Sequence, residues 1–555
     1  MSDISPKDFI RQIIDQDLLD DPSCKVVTRF HPEPNGYLHL GHAKSICLNF
    51  SVADERKGIT YLRFDDTNPI KEDAVFAESI KKDVQWLGFD WQDKLTHASD
   101  YFDELHQAAI NLIKKDLAYV DSSSPDELKS YRGSLTKSGI DSPYRDRSIE
   151  ENLDLFERMR NGEFSDGKMI LRAKIDMKSP NMNLRDPIIY RIRHHQHQRT
   201  GNAWCIYPMY DFAHALSDAF EGITYSLCTL EFEDHRPLYN WFIDNVKTQH
   251  QPRQIEFSRL NLAYSLTSKR KLKDLIDKKI VNGWDDPRLV TIAGMRRRGY
   301  PPVAIRDFCQ RVGVTKKDNL IEMGVLENCV REYLGDTAQR RMGVLKPLKI
   351  TLSNYDKNQI ENLDAQNHPN FPDLGTRKMP FCNELYIEQS DFLEEAPKKF
   401  FRLKPGGEVR LRYAYIIRCE KVIKNSDGKV TELICSYDPD TKSGTGTSEK
   451  KVKGTIHWVS ARHSLDAKIR LYDRLFKLPN PSNCEDIESS INPNSLETLQ
   501  AKLEISLDSE DAPAVFQLER NGYFCIDNEE NETKYNRIVT LRDSWAKIEK
   551  QALSQ

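Results

Sequence analysis

One stretch of the chain decides the fold: Arg29-Phe30-His31-Pro32-Glu33-Pro34-Asn35-Gly36-Tyr37-Leu38-His39-Leu40-Gly41-His42-Ala43-Lys44-Ser45. It follows a run rich in Val, Thr and Phe, Lys25 to Phe30, that is typical of a strand and is ended by prolines. After Gly41, apolar residues recur at helical spacing as far as Gly58, which we expect to cap the helix. Because Ile59 to Phe64 is a second strand-like run, the stretch predicts a β-α-β unit.

The start of the helix in such a unit is a favourable place for an anion, since free backbone N–H groups and the positive end of the helix dipole meet there. His39 and His42 lie on either side of Gly41, where the missing side chain permits close approach to the backbone. Both imidazoles could therefore reach a phosphate. Two histidines alone would favour the alternative, a turn with surface polar groups. The nucleotide-phosphate interpretation needs support from elsewhere in the chain.

Length and composition set wide limits. A chain of 555 residues is expected to contain roughly three to five domains. With 81 Lys and Arg against 85 Asp and Glu, the formal charge is −4, so a polyanionic partner would have to meet local basic patches. The eleven cysteines form no C-x-x-C pair and are typical of reduced thiols in a cytosolic protein. The polar N-terminus and the lack of a long apolar run predict a cytoplasmic protein that does not enter a membrane.

Two carboxylates follow the second predicted strand, in Phe64-Asp65-Asp66-Thr67-Asn68-Pro69. The carboxyl ends of parallel strands border the ligand crevice of a doubly wound sheet, so Asp65 or Asp66 could hold an ammonium group. An Asx-type cap on a helix that begins near Lys71 is an equally good interpretation.

A long mixed insertion is expected from about Ala98 to Met209. Within it, His194-His195-Gln196-His197 has no cysteine or carboxylate at ligand spacing, which favours a solvated basic surface over a metal site. Two apolar, β-prone runs, Cys205–Phe212 and Tyr225–Leu230, are expected to be later strands of the same interrupted sheet.

The last half of the chain changes character twice. The loop Ser265–Leu272 carries three consecutive basic residues and could clamp a polyphosphate or be an ordinary solvated loop. Asp286-Pro287 is typical of a helix start, and Gly299 of a helix end. After about Lys346 the chain is rich in predicted strands, best interpreted as one or two barrels, a common scaffold for single-stranded nucleic acid. The predicted strands are Gly407–Lys424, Val430–Tyr437, Val452–Val459, Phe516–Ile526 and Tyr535–Leu541.

Two motifs in this order resemble the signatures of class I aminoacyl-tRNA synthetases: His39-Leu40-Gly41-His42, and, after a long insertion, Leu266-Thr267-Ser268-Lys269-Arg270. Together with the Asp65 segment and Trp284-Asp285-Asp286-Pro287-Arg288, they resemble the glutamate and glutamine subfamily over nearly the whole chain. The resemblance implies an α/β Rossmann-like catalytic domain with an inserted acceptor-binding domain, a helical subdomain and C-terminal all-β barrels. The implied boundaries are 1–97 and 210–272 for the catalytic halves, 98–209 for the acceptor-stem-binding insertion, 273–338 for the helical subdomain and 339–555 for two anticodon-binding barrels.

The activity implied by the resemblance is ATP-dependent ligation of L-glutamine to tRNA(Gln) by a monomer, through a glutaminyl adenylate and with Mg²⁺ bound to ATP. The alternative is a glutamyl-tRNA synthetase of the β-barrel type, which shares the catalytic signatures. A small-molecule adenylyltransferase also uses a His-Gly-His turn, but those enzymes are far shorter. A non-catalytic RNA-binding relative is disfavoured because His39, His42 and Lys269 are intact.

The family's functional residues match positions of this chain, and no metal ligands are implied. The resemblance gives His39, His42 and Lys269 the catalytic role of stabilising phosphate charge. The chain departs from the family's pattern at Thr267, where a methionine is usual. The implied ATP-binding residues are Glu33, Pro34, Asn35, His39, Leu40, Gly41, His42, Ala43, Lys44, Ser45, Thr229, Arg259, Leu260, Thr267, Ser268 and Lys269. The implied glutamine-binding residues are Asp65, Tyr210, Arg29, His214, Cys228 and Gln254, and the implied tRNA-binding residues are Leu135, Asp234, Arg340, Arg402, Gln517 and Arg520.

Overall fold

A computed structural model describes residues 8–70, 74–445, 450–510, 512–528, 532–543 and 545. The chain forms two compact units. The first contains Met1–Asn261 and Cys309–Ile321, and the second contains Leu262–Phe308 and Glu322–Gln555.

The helices are α1 (Phe9–Asp20), α2 (Leu40–Asp54), α3 (Ala74–Trp86), α4 (Phe102–Lys114), α5 (Pro125–Arg132), α6 (Ile149–Arg160), α7 (Tyr210–Phe220), α8 (Arg236–Val246), α9 (Lys269–Asp277), α10 (Ile292–Arg298), α11 (Pro302–Val312) and α12 (Met323–Thr337). Among the residues described, none of these helices has the length and apolar character needed to cross a membrane.

The strands of the first unit are β1 (Val27–Phe30), β2 (Ile59–Phe64), β3 (Leu95–His97), β4 (Ala118–Asp121), β5 (Ile170–Ala173), β6 (Ile188–Ile192), β7 (Ile206–Pro208), β8 (Tyr225–Thr229) and β9 (Arg253–Phe257). They are followed by β10 (Leu260–Leu262) and β11 (Asn319–Ile321). The strands of the second unit are β12 (Gln339–Arg341), β13 (Gly343–Val344), β14 (Pro347–Leu352), β15 (Glu361–Gln366), β16 (Thr376–Phe381), β17 (Glu384–Glu388), β18 (Glu408–Leu411), β19 (Ile416–Lys424), β20 (Val430–Asp438), β21 (Thr455–Ile456), β22 (Val459–Ser460), β23 (Ser464–Tyr472), β24 (Leu496–Glu504), β25 (Val515–Leu518), β26 (Gly522–Asp527) and β27 (Lys534–Val539).

The predicted β-α-β unit is present in the first unit. β1 and β2 pair in parallel, with Val27 opposite Ile59 and α2 as the crossover, and β3 continues the parallel sheet. β8 and β9 form a second parallel pair, and the Thr224 N–H donates to Val27 O at 3.0 Å beside β1. A buried apolar cluster joins residues of α1, α2, β8 and β9, so the crossover helix is fixed by packing as well as by its connections.

The end of α2 differs from the prediction that Gly58 caps it. The residue in the left-handed conformation is Lys57, with φ of 54°, and the Gly58 N–H donates back to Ala53 O at 2.8 Å. Gly58 is required for a different reason. A Cβ there would lie 2.1 Å from Val26 O, where the chain turns into β2.

The insertion is built on an antiparallel sheet, β4-β5-β6-β7. Its inner face packs with α4, α6, α7 and α8 in one large buried cluster. The prediction that Cys205–Phe212 continues the parallel sheet is wrong, because β7 pairs antiparallel with β6 and α7 begins at Tyr210. The error arises because a short apolar run has no periodicity that separates a strand from the buried first turn of a helix.

The helical part of the second unit confirms one predicted helix end and corrects one start. α10 ends at Gly299, which has φ of 90°. The helix does not begin at Asp286-Pro287, however, because Thr291 is its N-cap and accepts from the Gly294 N–H. The buried Asp286 carboxylate instead accepts from the backbone N–H groups of Asn282 and Arg288, so it closes the preceding turn.

The last third of the chain forms two seven-stranded sheets, each with its own apolar core. The sheet orders are β21-β18-β19-β20-β14-β17-β22 and β12-β25-β26-β27-β23-β24-β13. The predicted strand Val430–Tyr437 is confirmed, and Tyr535–Leu541 corresponds to β27.

Three of the predicted strands are divided in the structure. Gly407–Lys424 is a pair of antiparallel strands, β18 and β19, that turns near Tyr413. Phe516–Ile526 is likewise a hairpin of β25 and β26 that turns at Arg520, and Val452–Val459 holds two short strands. Tyr413 and Arg520 have φ of 60° and 71°. The first hairpin turns without a glycine or proline, whereas the second turn is followed directly by Asn521-Gly522, a common turn signal in a sequence.

Candidate active site

The two signature histidines bond to the backbone at the start of α2. The His39 N–H donates to His42 Nδ1 at 3.1 Å, and the Gly41 N–H donates to His39 Nδ1 at 3.1 Å. The two rings lie 3.9 Å apart between centroids. This is a capping box in which imidazoles replace the usual hydroxyl and carboxylate.

These bonds determine which ring nitrogen carries the proton. Because each Nδ1 accepts from a backbone N–H, a neutral ring must hold its proton on Nε2. Burial lowers the pKa of His42 to about 4 and the pKa of His39 well below its ordinary value, with a further lowering of the His39 pKa by His42. At neutral pH the helix start therefore carries two fixed Nε2–H donors beside its free backbone N–H groups.

Gly41 leaves room for this arrangement. A Cβ there would lie 2.9 Å from His39 Cε1 and 3.0 Å from His39 Nδ1, so any side chain would displace the ring. Leu260 O lies 4.0 Å from the same Cβ position. The structure thus brings the backbone of Leu260 close to the histidine pair.

Lys44 is placed differently from a phosphate-binding lysine. Its side chain is buried, and its ammonium donates to Ser258 O at 2.9 Å, which ties α2 to the end of β9. Its neighbours Ala43 and Ser45 lie on the same first turns of α2, buried and half-buried. In the preceding turn Pro34 is buried, and the Asn35 N–H donates to the carbonyl of the exposed Glu33 at 2.8 Å.

Thr229 and Arg259 share one carboxylate. The Thr229 hydroxyl donates to Glu231 Oε1 at 2.8 Å, and Arg259 Nη1 donates to Glu231 Oε2 at 3.3 Å. Glu231 was not predicted from the sequence. Its signal was its position two residues after a parallel strand, similar to the signal that identified Asp65.

The second signature lies in the second compact unit, at the start of α9. Thr267, Ser268 and Lys269 are exposed, and Leu266 is buried in an apolar cluster with Leu272. Packing of Leu266 thus fixes this segment, while the next three side chains stay exposed.

Asp65 and Asp66 follow β2 but have different surroundings. Asp65 is half-buried and accepts from the Thr67 hydroxyl at 2.8 Å, and burial raises the pKa of its carboxyl. Asp66 is buried and accepts from the N–H and hydroxyl of Ser99. Helix α3 starts at Ala74, and among the described residues neither carboxylate forms a hydrogen bond to it. Lys71, where this helix was expected to begin, lies outside the described residues.

The histidine cluster of the insertion is only partly a solvated surface. His194 and His195 are exposed, but His197 is 1% exposed and its Nε2 bonds to Asp66 O at 2.8 Å. Backbone N–H groups of Arg199 and Thr200 donate to its Nδ1, so Nε2 is the donor. His197 therefore supports the Asp65-Asp66 loop.

Arg29, a predicted glutamine-binding residue, is entirely buried. Its guanidinium donates to Asp218 Oδ1 at 3.0 Å, to Leu227 O at 2.9 Å and to the Ser226 hydroxyl at 2.7 Å, and it contacts His214 Nε2 at 3.2 Å. Since its side chain is 0% exposed, Arg29 orients its neighbours and does not face the crevice.

Three rings stack above this buried cation. Tyr210 and His214 lie 5.1 Å apart with planes at 10°, and His31 stacks on His214 at 4.6 Å and 18°. His31 Nε2 also lies 3.0 Å from the Tyr210 hydroxyl. His31 was not among the predicted site residues, although its place directly after β1 put it at the crevice edge of a parallel strand.

The remaining predicted pocket residues lie on β8 and β9. Cys228 is buried, and burial raises the pKa of its thiol to about 12. The buried Gln254 side chain donates to Glu256 Oε1 at 2.9 Å and to Phe232 O at 3.2 Å. The second oxygen of Glu256 accepts from Arg236 at 2.8 Å, so Gln254 is held in a buried network.

Leu135 stands on a rigid loop with 83% of its surface exposed. Ser134 and Lys137 bracket it through backbone hydrogen bonds. The buried Arg185 donates through one nitrogen to the carbonyls of Arg132, Ser134 and Lys137 at 2.9 to 3.0 Å. The exposed Asp234 is anchored separately, since its carbonyl accepts from the side chains of Asn181 and Asn183.

The four predicted anticodon residues form two pairs in the second unit. Arg340 and Gln517 are register partners on β12 and β25. Arg402 and Arg520 meet at Asp391, a fully buried carboxylate. Arg520 holds both Asp391 oxygens, at 2.6 and 2.7 Å, and Arg402 Nε lies 3.4 Å away. A cavity of about 260 Å³ opens beside this pair.

Comparisons with known proteins match the chain over almost its whole length. Residues 25–336 match the family model described as tRNA synthetases class I (E and Q), catalytic domain. Residues 338–438 and 455–527 match two models of the anti-codon binding domain of the same family.

Similar curated proteins include a glutamine--tRNA ligase of Vibrio parahaemolyticus, 55% identical over 99% of this chain and 100% of the relative. The glutamine--tRNA ligase of Serratia proteamaculans is 56% identical over 98% of both chains. Among solved structures, a glutamate-tRNA synthetase from Elizabethkingia anophelis is 19% identical, with a TM-score of 0.43 over 57% of this chain and 72% of that chain.

Proposed function

The chain belongs to the class I tRNA synthetases of the glutamate and glutamine (E and Q) family, and from that premise we propose that it ligates L-glutamine to tRNA(Gln) at the expense of ATP. The observation that carries the chemistry is the histidine pair at the start of α2, whose Nε2–H donors are fixed by the backbone. The choice of glutamine rests on relatives of that name with 55% and 56% identity over nearly the full length.

In the first step, a carboxylate oxygen of glutamine attacks the α-phosphorus of MgATP, and the bond from that phosphorus to the bridging oxygen of pyrophosphate breaks. Negative charge grows on the α-phosphate oxygens in the transition state. His39 and His42 stabilise this charge with neutral N–H donors that need no reorientation, which is where preorganised donors are most effective. No protein nucleophile and no side-chain base is required, because the substrate carboxylate is already ionised.

Other residues complete the proposed ATP site. Leu260 lies next to Gly41, while Thr229 and Arg259 are linked through Glu231. We assign Lys269 to the polyphosphate, as an exposed cation at the start of α9. Lys44 acts in this proposal by holding Ser258, and Mg²⁺ enters as part of the MgATP substrate.

For the amino acid, Asp65 takes the α-ammonium group and Tyr210 faces the side-chain amide. Asp65 is suited to this task because it is half-buried and partly bonded by Thr67, which leaves acceptor capacity for a cation. Arg29 supports Tyr210 indirectly through His214. Cys228 and Gln254 complete the wall of the pocket.

In the second step, the 2′-hydroxyl of the terminal adenosine attacks the carbonyl carbon of the adenylate, and AMP leaves. We propose that the exposed Leu135 separates the end of the acceptor stem as an apolar wedge and that Asp234 contacts base-pair edges. Arg340 with Gln517, and Arg402 with Arg520, contact the anticodon.

The finer architecture belongs to the same proposal. The parallel strands β1-β2-β3 and β8-β9 act as the two halves of a Rossmann-like domain, interrupted by an acceptor-binding insertion. The two seven-stranded sheets act as anticodon-binding barrels, and residues 273–338 act as a helical subdomain. The working enzyme in this proposal is a cytoplasmic monomer.

Aminoacylation with two amino acids in parallel tests the function. Purified protein is given unfractionated tRNA, MgATP and labelled glutamine or labelled glutamate. We expect charging of tRNA with glutamine. Charging with glutamate in preference would contradict the assignment and support the glutamate alternative, which the names of the similar curated proteins do not favour.

A further inference from the structure

His31 is a polar ring in the amino-acid pocket for which the function above provides no role. Its Nε2 lies 3.0 Å from the hydroxyl of Tyr210, and its ring stacks on His214. We propose that His31 is a positioning residue that accepts the hydroxyl proton of Tyr210 and thereby turns the Tyr210 oxygen into an acceptor for the carboxamide N–H of glutamine. This inference rests on the proposed ligation of glutamine.

The protonation of both groups allows this. Burial, the charge of Arg29 and the proximity of His214 lower the pKa of His31 well below its ordinary value, so the ring is neutral at neutral pH and has one acceptor nitrogen. Burial raises the pKa of Tyr210 well above its ordinary value, so the hydroxyl keeps its proton.

The neighbouring imidazole does not compete for that proton. His214 Nε2 lies 3.2 Å from a guanidinium nitrogen of Arg29, and a guanidinium can only donate. His214 therefore accepts from Arg29 through Nε2 and is fixed in one tautomer. Its contact with Tyr210 is through the ring face, at 5.1 Å between centroids.

The direction of the His31–Tyr210 hydrogen bond decides what the pocket can select. If Tyr210 kept its proton free, it could donate to the amide oxygen of glutamine or to a carboxylate oxygen of glutamate. If it donates to His31, its oxygen offers only lone pairs, which accept from an amide N–H and repel a carboxylate. Only the hydrogen bond from Tyr210 to His31 therefore lets the pocket distinguish glutamine from glutamate, which differ only in the carboxamide and carboxylate groups.

The test uses the full-length enzyme with His31→Phe and His31→Gln. Phenylalanine keeps an aromatic ring for the stack on His214 and removes the acceptor nitrogen. Glutamine restores an acceptor oxygen on a side chain of similar reach. His250→Phe is the matched control, because His250 is an exposed histidine of the same unit with no part in the site.

The readout is kcat/KM for labelled glutamine and for labelled glutamate, with tRNA and MgATP saturating. We expect His31→Phe to lower the ratio of glutamine to glutamate use about tenfold, the effect of losing one hydrogen-bond preference. The loss should be found in KM for glutamine, and His31→Gln should recover part of the ratio. Thermal unfolding of each variant checks that it is folded.

Several outcomes would overturn the proposal. An unchanged ratio in His31→Phe would do so, as would an equal loss with both amino acids, which is the signature of a structural role. If His31→Phe does not fold, His31→Gln decides the question through its ratio of glutamine to glutamate use and through calorimetry of glutamine binding. Wild-type selectivity in His31→Gln would support the role of His31 as a hydrogen-bond acceptor. A wild-type enzyme that does not charge glutamine would defeat the proposed function itself, which is a distinguishable result.

Discussion

At the scale of single residues, the proposed chemistry depends on which nitrogen of each signature histidine carries a proton. The backbone N–H groups at the start of α2 occupy both Nδ1 atoms, so His39 and His42 can only donate through Nε2. A serine or threonine would satisfy the same backbone groups, since hydroxyls are the common caps. Two imidazoles at these positions combine capping with a pair of Nε2–H donors.

The first prediction concerns His42→Ala. We expect kcat for adenylate formation, measured by pyrophosphate exchange, to fall by about 10² to 10³, the usual effect of removing one preorganised donor to a transition state. The fold should survive because His42 is only half-buried and lies at the helix start. His250→Ala is the control, and unchanged turnover in His42→Ala would refute the role.

The second prediction separates activity from stability at Gly41. In Gly41→Ala the new Cβ would meet the His39 ring at 2.9 Å, and the ring can yield by rotating out of place. We expect kcat for pyrophosphate exchange to fall at least about tenfold. The free energy of unfolding should change by less than about 1 kcal/mol, because alanine favours a helix. Gly335→Ala, with its nearest contact at 3.7 Å, is the control; equal activity in both variants would contradict the argument.

At the scale of elements, the sequence predicted strands and helices correctly where the spacing of apolar residues and the turn residues fit only one kind of element. The β-α-β unit around α2 is correct because its helical periodicity is long and its strands are bounded by prolines and a glycine. The hairpin at Tyr413 was missed because a left-handed turn at an ordinary residue gives no local signal, whereas the hairpin at Arg520 was missed although Asn521-Gly522, a common turn signal, follows it. Their conformation is imposed by strand pairing, which a linear pattern does not contain.

The same limit explains the missed site residues. Asp391 and His31 are defined by partners that lie far along the chain: Asp391 by Arg520, and His31 by Tyr210. Motif spacing identified His39 and His42 because they are three residues apart at one helix start. A residue that acts through a remote partner is visible only once the fold brings the two together.

The third prediction concerns the loop that carries Leu135. Arg185→Lys keeps the charge but replaces a planar donor that bonds to three loop carbonyls with a point charge. We expect kcat/KM for tRNA to fall about tenfold, as in Leu135→Ala, with KM for glutamine unchanged. The double variant should lose little more than either single variant, because both changes remove the same wedge.

The matched control for this loop is Arg158→Lys, a half-exposed arginine of α6 that bonds to Glu163. It should leave tRNA use unchanged. Additive losses in the Arg185→Lys, Leu135→Ala double variant would show that the two residues act independently.

At the scale of the whole molecule, the first unit holds several histidines neutral, and this should make its stability depend on pH. A histidine whose pKa is lower in the folded state binds fewer protons when folded, so stability is fully present above the ordinary value near 6.5 and is lost as pH falls toward the folded value. Asp218 does not act in this range, because the buried Arg29 holds the pKa of its carboxyl well below the ordinary value. Burial lowers the pKa of several histidines. The pKa is about 4 for His42 and His97 and about 3 for His214, and it lies well below the ordinary value for His31 and His39.

The fourth prediction follows from that sign. Thermal unfolding temperatures should be highest at pH 7.5, somewhat lower at pH 6.5 and clearly lower at pH 5.5, with net proton uptake on unfolding. His97→Asn should reduce the dependence, since it removes one titrating group outside the catalytic pair. Unfolding temperatures that are equal or higher at pH 5.5 would show that the histidines are not held neutral in the folded protein.

The second unit gives the last prediction, because tRNA recognition there should be separable from catalysis. Arg402 and Arg520 share the buried Asp391, but Arg520 holds both carboxylate oxygens while Arg402 keeps 43% of its side chain exposed. Arg402→Ala therefore leaves Asp391 paired, and we expect KM for tRNA to rise by about 5- to 100-fold, as for loss of a base-contacting arginine. KM for ATP and glutamine at saturating tRNA should stay unchanged. Arg462→Ala, an exposed arginine of the same unit, is the control, and an equal effect of Arg402→Ala on all three substrates would contradict an anticodon role.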